Sequence, residues 1–304
     1  MPPRAADAPL RPGDRLPVVL LVGALLLGVL LRAWHYGANA SLWLDELALA
    51  NNIVPRSLPT LLTEPLDFAQ VAPLGYLLLL KGISWAAGSG ELALRLPAFL
   101  AGVAALPLTA LLSRELLGLR HAWMPTLLVA VSTPLVFQAA QVKPYSGDVL
   151  LALALLLVAV RAARASAPPR LPALAALGIM APWFSFPALF ALAAAGLALL
   201  LGSRRWTGRA IAPGIGLVLV LWAASGTIAL AVAFTLVTEA TSLFMQDFWS
   251  TGFPRIPPTS LADLLWPFTA LTDLLRELGN FRGSRPLAVV TALGTLAWAV
   301  RGGR

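Results

Sequence analysis

The sequence predicts an all-α protein, a polytopic bundle of about eight transmembrane helices, with interfacial helices in its first extracytoplasmic loop. Three observations lead there. Hydrophobic residues make up 59% of the 304-residue chain and charged residues only 12%, with a mean hydropathy of +0.81. A water-soluble domain carries about 25% charged residues because its surface must face water. Apolar runs also recur along the whole chain, with basic residues gathered in the short segments between them. Alternating strand-like stretches of about ten residues are missing, which argues against a barrel. The 25 prolines and 24 glycines are tolerated where neighbouring helices re-satisfy freed backbone groups.

The apolar runs fall at 16–34, 95–113, 121–138, 146–160, 171–183, 186–201, 210–237 and 286–300. Several are shorter than the roughly 20 residues of a perpendicular span, a mismatch that local thinning or packing within a bundle absorbs. The first run lies between Arg4, Arg11 and Arg15 and the small-residue triplet Ala38-Asn39-Ala40, and so imitates a signal peptide. Its length and the distance from Leu31 to Ala40 favour an uncleaved first span. Residues 72–87 are short and carry Lys81 mid-run, so they are predicted to lie on the membrane surface. Residues 171–201 as one helix would run about 46 Å against a hydrocarbon core of about 30 Å. Pro182 and Pro187 divide them into two spans with a turn at 183–186.

Orientation follows from Lys and Arg in the short loops. The N-terminal arginines, Arg114 with Arg120, Arg161 with Arg164 and Arg170, Arg204 with Arg205 and Arg209, and Arg301 with Arg304 are assigned to the cytoplasm. They are 13 of the 22 basic residues, accompanied only by Asp7, Asp14 and Glu115, so that side carries +10 and the other −2. The net charge of +8 therefore reports topology, and no nucleic-acid partner is expected. A single membrane domain spans 1–304, with its long extracytoplasmic loops at 35–94 and 238–285. Function is expected on that face, where the loops are long. The localisation expected is the cell membrane, multi-pass, with a cytoplasmic N-terminus.

Few residues could carry chemistry. There is no cysteine, and His35 and His121 lie in different loops, so neither a disulfide framework nor a histidine metal cluster is expected. Ser41-Leu42-Trp43-Leu44-Asp45-Glu46 follows the first run, with Ser41 as the expected N-cap of a short surface helix. The adjacent carboxylates read either as dipole partners of that first turn or as a general base at the lipid–water boundary. Gln141-Val142-Lys143-Pro144-Tyr145-Ser146-Gly147-Asp148 sits on the same side. Lys143 there is either an interfacial lysine beside a belt tyrosine or a cation for a phosphate. Arg95, opening the second run, poses the same question. No P-loop, nucleophile elbow, His-Glu-x-x-His or Asp-x-Asp pattern occurs, so an enzyme of this make-up would draw its donor from the lipid phase.

The order Leu42-Trp43-Leu44-Asp45-Glu46, Ala72-Pro73-Leu74-Gly75-Tyr76 with Lys81, Glu91-Leu92-Ala93-Leu94-Arg95-Leu96-Pro97-Ala98 and Gln141 to Asp148 resembles the C-type membrane glycosyltransferases. The closest likeness is to family 39, which includes protein O-mannosyltransferases and the aminoarabinose transferase of lipid A. It covers about residues 16–200, and 244–285 more loosely. The resemblance implies inverting transfer of a sugar from a polyprenyl-phosphate donor to a glycan, lipid or protein acceptor at the extracytoplasmic face. It implies Asp45 as the catalytic carboxylate with Glu46 as its acidic neighbour, and Lys143, Arg95 and Tyr145 at the donor phosphate. Tyr76, Lys81 and Asp148, in the same motifs, are expected at the substrate. No cofactor is obligatory, although a divalent metal is compatible. Relatives are longer, so the chain reads as a form shortened at its C-terminus, and Ala72 stands where many have His or Pro. Two other readings stay open. One is a catalytically silent scaffold on the same fold. The other is a transporter or lipid flippase, against which the nearly charge-free interiors of the runs weigh.

Overall fold

The computed structural model describes residues 15–164, 170–203, 211–250, 252–254 and 257–278. Among them every regular element is a helix: α1 Arg15–Gly37, α2 Leu44–Ile53, α3 Leu58–Thr63, α4 Leu74–Ala87, α5 Glu91–Leu117, α6 Trp123–Val131 and α7 Thr133–Gln138. There follow α8 Tyr145–Arg164, α9 Leu171–Phe184, α10 Ala188–Ser203, α11 Ile211–Thr235, α12 Glu239–Phe248 and α13 Leu261–Leu278.

Four helices are long and apolar enough to cross a membrane: α1, α5, α8 and, from Pro213, α11. Of the other expected runs, 171–183 and 186–201 form the shorter apolar helices α9 and α10. Run 121–138 is divided into α6 and α7 at Ser132, the extended N-cap (φ −61°, ψ 112°) of α7, which carries Pro134 in its first turn. Run 286–300 lies outside the described residues, as do Arg4, Arg11, Arg204, Arg205, Arg209, Arg301 and Arg304.

Packing inverts the pattern of a water-soluble bundle. Large apolar side chains such as Leu16, Val19, Leu26 and Leu30 of α1 are exposed, while Ala24, Gly28, Ala98 and Ala105 face inward. Small residues let helix backbones approach closely where lipid removes the hydrophobic drive for association. At Gly178 a methyl group would stand 2.0 Å from Trp222 Nε1, so α9 and α11 meet through a bare backbone. Trp222 then donates to the Leu174 carbonyl at 3.1 Å and Trp183 to Ser225 Oγ at 3.0 Å.

The chain reverses from helix to helix, which sorts the loops to two ends. At one end Arg161 pairs with Glu115 at 2.9 Å, joining the last turns of α5 and α8. At the other end α1 finishes, α5 and α8 begin, and α2, α3 and α4 are gathered. Helix α4 rises only about 21 Å, short of a hydrocarbon core of about 30 Å. Its Tyr76, Leu77 and Leu80 share one buried cluster with Leu49 and Ile53 of α2, Leu61 of α3 and Leu94 of α5. The inner face of α2 is thus covered by protein.

Candidate functional site

Helix α2 begins at Leu44 with Trp43 as its N-cap, two residues later than the expected cap at Ser41. The Ser41 and Ala40 carbonyls instead accept from Arg95. Starting the helix there places Asp45 and Glu46 in its first turn but on different sides. Glu46 points inward and is fully buried. Its Oε1 accepts from Arg95 Nε at 2.9 Å and from the Val142 N–H at 2.8 Å, and its Oε2 from Arg95 Nη2 at 2.6 Å. A carboxylate at this depth persists as an anion only when paired and hydrogen-bonded, and one bidentate arginine supplies both conditions. The Arg95 guanidinium is thus engaged by Glu46 and by two backbone carbonyls.

Asp45 points toward the open side. Lys143 Nζ meets its Oδ1 at 2.9 Å and also donates to Gln70 Oε1 at 2.6 Å. The Gln70 amide donates back to Asp45 Oδ1 at 3.3 Å, so the three side chains close a ring. The side chain of Asp45 is 35% exposed and that of Lys143 only 8%, which leaves the carboxylate as the accessible member. The expected meeting of Asp45 with Lys143 is therefore present as a direct ion pair.

Gln70 is delivered by a constrained loop. Phe68 (φ 60°) and Ala69 (φ 50°) are both left-handed, a region that costs a non-glycine residue about 1–2 kcal/mol. Surrounding contacts hold them there. Asn52 of α2 is buried, its amide donates to the Ala48 and Asp67 carbonyls, and its Oδ1 accepts from the Asp67 N–H at 2.7 Å. Arg56 pairs with Asp67 at 2.8 Å and donates to the Pro65 carbonyl at 2.8 Å. Strain retained by over-determined packing is a recurrent mark of functional loops.

Lys143 is fixed from its other flank. Val142 is bound to Glu46, and Gln141 accepts from the Trp43 indole N–H. The 138–148 segment therefore docks on both ends of the Trp43–Glu46 turn. Tyr145, partly exposed, lies within electrostatic reach of Asp45 and Asp148. Tyr76 is buried behind Glu46, its hydroxyl without a hydrogen-bond partner among the described residues, and one oxygen of Asp148 is in the same condition. Lys81 stands apart. Its ammonium caps the end of α2 through the Ile53 and Val54 carbonyls at 2.9 and 3.0 Å and lies over the Trp85 ring. Helix C-termini attract cations, which accounts for where the Lys81 ammonium sits.

Beside the ring runs an apolar groove between the loop carrying Gln70, helix α4 and the last turns of α11. Val71, Leu74 and Leu77 form one wall and Ala229, Val232 and Leu236 the other. Its polar member, Gln70, is the residue that bonds both Asp45 and Lys143.

Sequence reasoning missed three participants. Gln70 and Gln141 carry no local signal, because their partners are 25 to 98 residues away. Arg32 corrects the expectation of nearly charge-free spans: it is buried inside α1. A charge within an apolar run was the available signal. Among the described residues no group of three or more His, Asp and Glu is placed to hold a metal ion. Comparison of the chain with protein-family models, curated proteins and solved structures finds no match.

Proposed function

We propose that the protein is a multi-pass membrane glycosyltransferase. It moves a sugar from a polyprenyl-phosphate donor to an acceptor hydroxyl on the non-cytoplasmic side of the cell membrane, with inversion. The observation that carries the reading is the 2.9 Å pair of Asp45 and Lys143 at the side of an apolar groove, with Gln70 common to both. A phosphate esterified to a long apolar chain needs a cation for its head and a greasy channel for its tail, side by side. An acceptor hydroxyl needs a carboxylate within reach of its proton.

In the resting pair Lys143 neutralises Asp45. A donor phosphate entering beside Lys143 competes for the ammonium and releases the carboxylate. Asp45 then takes the acceptor proton while the acceptor oxygen attacks the anomeric carbon. The bond from that carbon to the phosphate oxygen breaks, its electron pair leaves with the polyprenyl phosphate, and Lys143 meets the developing charge. Glu46 and Arg95 serve as positioning residues that fix the turn bearing Asp45. A divalent metal is compatible with this step and not required by it.

The same reading assigns about eight spans with the N-terminus in the cytoplasm, supported by the basic clusters in the short loops. It lays α12 and α13 on the outer surface, supported by exposed Phe244, Phe248, Trp249 and Phe268 on helices of mixed polarity.

Two experiments test it. Purified protein, reconstituted with a polyprenyl-phosphate sugar labelled in the sugar, should transfer label to acceptor, and Asp45→Asn should not, while remaining folded. Equal turnover in that variant sinks the base assignment. For topology, a single cysteine at exposed Ser41 should react with an impermeant thiol reagent from outside intact cells and one at exposed Arg120 should not; the opposite pattern inverts the orientation.

A further inference from the structure

The described residues contain two buried arginines at this end of the bundle, and they differ in one respect. Arg95 turns Nε and Nη2, one edge of its guanidinium, onto the two oxygens of Glu46. Arg32, 1% exposed within α1, has no carboxylate partner among the described residues. Its Nη1 donates to the Gly28 and Ala130 carbonyls at 3.1 and 3.2 Å, and Nη2 donates to the Val129 carbonyl at 3.0 Å. Val129 and Ala130 belong to the last turn of α6, so part of the arginine's charge answers a helix C-terminus. Yet a guanidinium has five N–H groups, and these contacts use three of them. Nε is buried without an acceptor, and one Nη2 proton is likewise left over. These are the same two nitrogens that Arg95 gives to a carboxylate.

Arg32 lines, together with Gly102, Gln138, Tyr145 and Ser146, a cleft whose remaining wall is apolar. A methyl group on Gly102 would stand 3.5 Å from Nε and 2.6 Å from the Ala139 methyl, so only a bare backbone fits where α5 passes the guanidinium. A buried cation with a free bidentate edge, ringed by three uncharged hydrogen-bonding side chains, is complementary to an oxyanion.

We propose that this cleft is a second anion site, holding the phosphate of a phosphodiester or phosphomonoester side-on against Arg32 Nε and Nη2, with Gln138, Tyr145 and Ser146 completing its shell. It is separate from the Lys143 ammonium and does not depend on the transferase reading. Two sources offer that chemistry, a membrane phospholipid headgroup and phosphate dissolved in water.

The test uses the full chain purified in a non-ionic maltoside detergent. Its thermal midpoint is followed against inorganic phosphate, and separately against a short-chain phosphatidylglycerol, each with sodium chloride of matched ionic strength as control. Wild type should rise saturably with at least one of them. Response to inorganic phosphate identifies a soluble ligand, and response to the phospholipid alone identifies a headgroup. Arg32→Lys keeps a charge at the α6 terminus but loses the fork, and should weaken binding about tenfold or more. Gln138→Leu leaves every carbonyl contact of Arg32 intact and should also weaken it; this variant decides the matter if Arg32→Lys does not fold. If neither ligand raises the midpoint beyond chloride, or if the folded variants bind as wild type does, Arg32 is only a cap for α6 and the site does not exist.

Discussion

Asp45 and Glu46 are neighbours in the chain, of one charge and nearly one chemistry, yet they occupy different media. Glu46 is fully buried, with both oxygens satisfied by a bidentate arginine and a backbone N–H. Asp45 is about one-third exposed and held by a lysine that also serves Gln70. The first arrangement is rigid and closed. In the second, the carboxylate reaches solvent and the lysine, a flexible point charge with rotatable donors, is able to exchange partners. One helical turn thus carries a closed ion pair on its inner side and an accessible one on its outer side.

The comparison breaks most visibly at the inner pair. Glu46→Gln or Arg95→Gln leaves a buried charge without its partner and should cost about 3–5 kcal/mol of stability. It should appear as a large drop in thermal midpoint and in folded yield, with activity lost alongside. Asp45→Asn is the counterpart: sugar transfer should fall about 10²–10⁴-fold while the midpoint moves by no more than about 1 kcal/mol equivalent, as for other partly exposed pairs. A midpoint loss matching that of Glu46→Gln would erase the distinction drawn between the two acids.

Asn52→Ala sharpens it further, because it touches neither pair. By freeing the loop of Phe68 and Ala69 it should cost about 1–3 kcal/mol and lower transfer through misplaced Gln70. Ala69→Gly at the same loop should recover about 1 kcal/mol by relieving its left-handed backbone. Recovery of activity in the double variant would tie Gln70 placement to turnover.

The smallest effect belongs to an acid remote from both. Asp263 in the first turn of α13 accepts from the Thr259 and Ser260 N–H and hydroxyl groups, bonds that hold its pKa below the ordinary carboxylate value. Its folded pKa is depressed, so its contribution is present above the unfolded value and is lost as pH falls through the folded one. Acid titration of Asp263→Asn followed by helix content should therefore part from wild type only above that range and merge with it below.

Much of this was legible in advance. The apolar runs mark the helices because composition and length suffice to locate segments that lipid can solvate, and Pro182 with Pro187 places the break between α9 and α10. The four motifs fall on α2, α4, α5 and the 138–148 segment, which converge at one end of the bundle. Roles within them were harder to read. Arg95 and Lys143 look equivalent as lone cations in outer segments, and only their partners separate them. Arg32 lies within an apolar run that masks it, and Gln70 lies in a loop whose course depends on Asn52 and Arg56.

What the sequence determined by itself is the solvent of this protein: helical segments too apolar for water, with charges confined to few places. Which of those charges is locked and which is free was decided by tertiary structure alone. A carboxylate's character depends on how many donors converge on it and how much water still reaches it. For Asp45 and Glu46 those donors come from residues up to 98 positions away, brought together only when α2, α5 and the start of α8 pack against one another.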